Sequence, residues 1–152
     1  MTRRTMLLLG VLALALMPAS SWAAGMLRYA GRFYAGGSEF DVTQYSDGKA
    51  KIGVIGINRG RERTSVAFAS DEWHSFAGLW DTARHTKSAT WQTVGTFTET
   101  GADDAMLLSV AAGPGVQFTM TGKKGSFTFV LSPRDYAAFD ATVRRMTVWF
   151  AH

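Results

Sequence analysis

From residue 27 onward the chain alternates apolar and polar residues in short runs broken by turn residues. This is the signature of half-buried strands. The first run spans 27–34 and ends at Gly36-Gly37; the second spans 39–45, with Phe40 and Val42 on one face. Asp47-Gly48 predicts a two-residue type I′ hairpin, because both residue types tolerate positive φ. A strand over 51–57 follows, with Ile52, Val54, Ile55 and Ile57, then a polar turn over 58–63 and a strand over 64–69. At Ser70 the period changes to that of a helix. Ser70 predicts an N-cap, Asp71 and Glu72 suit the positive end of the helix dipole, and Trp73, Phe76, Trp80 and Ala83 form an apolar stripe that ends near His85.

The same order then repeats. Strands are predicted over 91–99, 106–112, 116–121 and 126–131, with turns over 101–104, 113–115 and 122–125. Ser132 and Pro133 open a second helix, with Asp135 in its first turn and Tyr136, Phe139, Val143 and Met146 as its stripe. The two stripes share spacings of 3, 4 and 3 and lie 63 residues apart. That period is long for a solenoid unit and short for an independent domain. The reading is therefore an α+β fold: one compact domain over 24–152 with about eight antiparallel strands and two helices, built from two ββββα repeats over about 26–86 and 90–147.

Two tandem ββββα units resemble the PUR and whirly families, which bind single-stranded nucleic acid. Gly48-Lys49-Ala50-Lys51 is similar to the Gly-Lys-Ala-Ala core of the plant whirly motif, with Lys51 in place of the last alanine. The succession Phe40, Asp47-Gly48, Lys51-Ile52, Arg61-Glu62-Arg63 and Phe76 resembles the layout of a PUR repeat. The resemblance implies this fold and, as a second functional reading, single-strand binding.

The first residues change the functional picture. Arg3 and Arg4 precede an apolar run of 12 residues, Met6 to Met17, and Pro18 breaks it before Ser21-Trp22-Ala23. This is the pattern of a secretory signal peptide over 1–23, cut near Ala23/Ala24. It is too short to span a bilayer, which needs about 20 residues. The expected product is a periplasmic or secreted protein with no stable membrane insertion. The full chain has 16 Lys and Arg against 12 Asp and Glu, a net +4; loss of Arg3 and Arg4 lowers it to +2. Nucleic-acid binding surfaces usually carry a larger, clustered excess, so nucleic acid is disfavoured as partner. With no cysteine, disulfide scaffolds, thiolate zinc sites and cysteine nucleophiles are excluded.

The catalytic inventory is short. His74 and His85 lie 11 residues apart, about 16 Å on one helix, too far to share a metal. Asp81 and His85 are read as a solvated pair, and Asp71-Glu72 and Asp103-Asp104 as helix-start and turn residues. No nucleophile elbow or phosphate loop is present. No catalytic residue, cofactor or metal is expected. The remaining cluster is Lys49, Lys51, Arg59, Arg61 and Arg63 around one hairpin, a candidate contact for a phosphate, carboxylate or acidic protein surface. Tyr34 and Tyr45 lie nearby in sequence as stacking groups. The sequence thus points to an exported, non-enzymatic binding protein of the bacterial envelope, with an inhibitor-like or immunity-like role toward an unidentified protein or anionic ligand. A PUR-type nucleic-acid binder is the alternative, and a small-molecule-binding protein or hydrolase comes third.

Overall fold

The computed structural model describes residues 27–99 and 106–152. The expected leader over 1–23 and the expected turn over 101–104 lie outside the described residues. The first unit contains β1 (Leu27–Ala35), β2 (Ser38–Ser46), β3 (Lys51–Arg59), β4 (Glu62–Phe68) and α1 (Ser70–His85). The second contains β5 (Gln92–Glu99), β6 (Met106–Ala112), β7 (Val116–Gly122), β8 (Gly125–Leu131), a single 3₁₀ turn (Pro133–Asp135) and α2 (Tyr136–Ala151). Each set of four strands forms an antiparallel meander: sheet A in the order β1-β2-β3-β4 and sheet B in the order β5-β6-β7-β8. The fold is α+β, with two ββββα units, as the hydrophobic pattern predicts.

The inner faces of both sheets and the stripes of both helices bury one continuous core. Phe40 of β2 sits at its centre. Its ring centroid lies 4.7 Å from Phe118 of β7, 5.2 Å from Phe129 of β8 and 5.6 Å from Phe139 of α2. All four positions of the first predicted stripe are buried, and Phe139, Val143 and Met146 of the second; Tyr136 is half-buried, edge-on to Trp80.

Three local expectations are corrected. A type I′ turn needs positive φ at both central residues, and of Asp47 and Gly48 only Gly48 has it (φ 81°). Instead the Asp47 carboxylate accepts the N–H groups of Lys49 (2.9 Å) and Ala50 (2.8 Å), shaping a four-residue loop over 47–50. The polar stretch 58–63 is mostly strand: the turn is Gly60-Arg61, with Gly60 at φ 61°, and Asn58 faces Arg63 across the ladder. The N-cap of α1 is Ala69 rather than Ser70. Its backbone is extended and its N–H is taken by the Glu72 carboxylate (2.8 Å), so Ser70 is already inside the first turn.

The two units are alike beyond their element order. β1 and β5 each carry an irregularity just before a glycine, between Tyr29 and Gly31 and between Thr93 and Gly95. Each glycine makes room for a helix of the other unit. A Cβ on Gly31 would lie 2.6 Å from Thr142 of α2, and one on Gly95 would collide with Leu79 of α1. The helices are thus exchanged between the sheets' first strands. Leu79 and Thr142 are themselves 63 residues apart, the spacing of the two stripes.

Candidate functional site

The strand register distributes the five cations of the first hairpins over separate places. Lys49 is exposed in the loop over 47–50. Lys51 turns inward, and its Nζ donates to the Trp149 carbonyl at 2.6 Å, where a cation suits the end of α2. Both lie at one end of β3, roughly 27 Å along the strand from the Gly60-Arg61 turn. Arg59 donates to Ser38 Oγ (3.2 Å) and to the Thr128 carbonyl of β8 (3.5 Å), tying the two sheets together. Only Arg61 and Arg63 share a site.

That site is a groove of about 550 Å³ between the β3–β4 hairpin and the β7–β8 hairpin. Arg61, Arg63, Lys123 and Lys124 line it, with Glu62 as the one acid among its described lining residues and Met106 and Phe127 as its apolar wall. The local reason is two tight turns: Gly60-Arg61 and Lys123-Lys124 each place cations at a hairpin tip, and sheet packing sets the tips across from each other. Arg61 and Lys124 are both exposed. Sequence reading of the first hairpin could not include the second pair, because Lys123 and Lys124 are about 60 residues away. A Lys-Lys dipeptide between two strands was the available signal.

Arg63 also belongs to a network on the outer face of sheet A. Its two terminal nitrogens donate to the Asp41 carboxylate at 2.5 and 2.9 Å. Asp41 is fully buried, whereas the Arg63 side chain keeps 42% of its surface open. Burial opposes the Arg63 charge, but Asp41 outweighs it and raises the guanidinium pKa above its ordinary value. Asn58 Nδ2 donates to Asp41 (2.7 Å) and to Glu39 (3.0 Å), Asn58 Oδ1 accepts from Arg63 (2.9 Å), and Thr43 Oγ1 donates to Asp41 (3.2 Å). A lone acid between Phe40 and Val42 of a strand was the sequence sign of such a network.

The histidines take no part. His74 and His85 are on the exposed side of α1, each with Nδ1 on the carbonyl four residues back, at 2.6 and 2.9 Å. Asp81 is shared between His85 (3.6 Å) and Arg84 (2.8 Å). Among the described residues no three His, Asp or Glu side chains gather as metal ligands. No family model matches the chain, and no curated protein matches it either.

Proposed function

We propose that this protein is an exported, non-enzymatic binding protein of the bacterial cell envelope that holds an anionic partner in the groove between its two hairpin tips. An acidic protein surface, as in inhibitor or immunity pairs, is the partner this reading favours. The observation that supports it is the facing of Arg61 and Lys124 across an open groove in which Glu62 is the one acid among the described lining residues. Arg63, already neutralised by Asp41, supplies a rigid floor rather than free charge. Like-signed tips held apart by packing gain from a carboxylate between them, and such a contact steers association while weakening with salt. The pattern of Arg3 and Arg4 before the apolar run Met6 to Met17 supports the export part of this reading.

The test begins with expression of the full chain and intact-mass measurement of the periplasmic fraction, where a product starting at Ala24 is expected. That product is then titrated with a fluorescent polyglutamate peptide and with single-stranded DNA of similar charge. Saturable peptide binding that weakens about tenfold in the Arg61→Ala/Lys124→Ala variant is the expected result. DNA binding far tighter than peptide binding would favour the nucleic-acid alternative. No binding of either, or binding indifferent to the two substitutions, would overturn the groove reading.

A further inference from the structure

The two units share a fold, yet their outward sheet faces differ, and the difference locates a second site. On sheet A the register aligns Tyr34, Glu39, Asn58 and Arg63 in one row across the strands, and Arg32, Asp41, Gly56 and Ser65 in the next. The corresponding rows of sheet B are Thr98, Leu107, Thr121 and Ser126, then Thr96, Ser109, Thr119 and Thr128. Those hydroxyls bond across strands, Thr119 to Thr128 at 3.1 Å and Thr121 to Ser126 at 2.8 Å. A four-stranded sheet of this fold therefore forms with uncharged residues in these rows. The charged and aromatic set on sheet A is not demanded by folding.

What that set builds is a flat, interlocked polar layer beside exposed rings. The Arg63 guanidinium lies on Gly56, where a Cβ would come within 2.5 Å of Nη2. Asp41, Asn58, Glu39 and Arg63 fix one another's planes through the bonds given above. Along β1 on the same face stand Tyr29 and Tyr34, 51% and 61% exposed. Arg32 lies between them, 3.5 Å from the Tyr29 ring centroid and 4.0 Å from Glu39 Oε1. Tyr29 opposes Thr43 and Tyr34 opposes Glu39, so their backbone positions stand four strand steps apart, roughly 13 Å. Arg32 and Arg63 are balanced by Glu39 and Asp41, so the rows carry no net charge.

We propose that this face binds a neutral oligosaccharide, with pyranose rings on Tyr34 and Tyr29 and hydroxyls meeting Glu39, Asn58 and Arg32. A sugar ring offers electropositive C–H groups to the negative face of an aromatic ring. Its hydroxyl rim needs planar donors and acceptors already fixed in place, so that little ordering cost remains on binding. Balanced charge distinguishes the face from a surface for phosphate backbones, which calls for an excess of cations. A spacing of roughly 13 Å between the two tyrosine positions on the strand selects a short chain of sugars over a single one. The face shares Arg63 with the anion groove, as part of its fixed layer, and the proposal does not rest on anion binding there.

The experiment is calorimetric titration of the product of the full chain with maltohexaose, cellohexaose and chitohexaose, with single-stranded DNA alongside. Saturable binding of at least one sugar is expected, unchanged between about 50 and 500 mM NaCl. Tyr34→Ala should weaken it about tenfold while Tyr34→Phe retains it; an exposed ring makes both variants foldable, which circular dichroism checks. Thr121→Ala on sheet B should leave it unchanged. Failure of all three sugars to bind overturns the proposal. So does binding indifferent to Tyr34→Ala, or a steep loss with salt shared with DNA.

Discussion

Arg63 and Asp41 are unequal partners, and the inequality sets which substitution is costly. Asp41 is wholly buried and Arg63 is partly open, so removing the arginine strands a charge that has nowhere to go. Arg63→Ala is expected to cost about 3 kcal/mol by urea denaturation. Asp41→Asn keeps an acceptor in place and leaves a guanidinium that reaches water; about 1 kcal/mol is expected. Glu99 is the opposite kind of acid. Burial, helped by nearby Glu72, raises its pKa, against the opposing hydrogen bond from the Ala67 N–H. Folding therefore favours the protonated form, and the penalty for charging it grows as pH rises above the ordinary carboxylate range. Glu99→Gln should raise the urea midpoint near pH 7, and the gain should vanish by about pH 4, where unfolded and folded carboxyls are both largely protonated.

At the scale of elements, the start of α1 offers a clean test of which residue caps it. Ala69 has the extended backbone of an N-cap but no side-chain acceptor, and Glu72 covers only the Ala69 N–H. Ala69→Ser should stabilise the protein by about 1 kcal/mol, and Ser70→Ala should change the thermal midpoint little. The placement of the cap at Ser70, one residue too late, is instructive. Periodicity finds the buried face of a helix well, as Trp73, Phe76, Trp80 and Ala83 demonstrate, because burial repeats every turn. It does not set the first residue, since several capping types cluster there. Strands were legible for the same reason: Phe40 and Val42, or Ile55 and Ile57, must share a face. The loop over 47–50 was not, because the Asp47 side chain competes with the backbone for its own turn. The candidate sites were legible only in pieces. Arg63 reaches Asp41 across 22 residues, and Arg61 faces Lys124 across two sheets, and both contacts depend on register and packing rather than on any local pattern.

On the scale of the whole molecule, the exchange of helices decides whether either half can stand alone. Sheet A leans on α2 at Gly31 and sheet B leans on α1 at Gly95. Trp80 of α1 packs edge-on against Phe139 of α2 at 4.6 Å, and its indole N–H donates to Asp140 at 3.3 Å. Among the described residues Phe40 has three ring partners, all in the second unit. A first half cut within residues 86–90 would thus expose the face around Phe40 to water, and a second half would expose Phe118, Phe129 and Phe139. Chains of about 60 residues have little core to spare. Each half expressed separately should give the amide spectrum of an unfolded chain by NMR, and mixing them should restore dispersion, because the missing surface is the partner half. The intact protein should unfold in one transition, with Phe40→Ala lowering its stability by about 3–5 kcal/mol. A folded first half, or two separated transitions in the intact chain, would mean that the shared ring cluster does not hold the two units together.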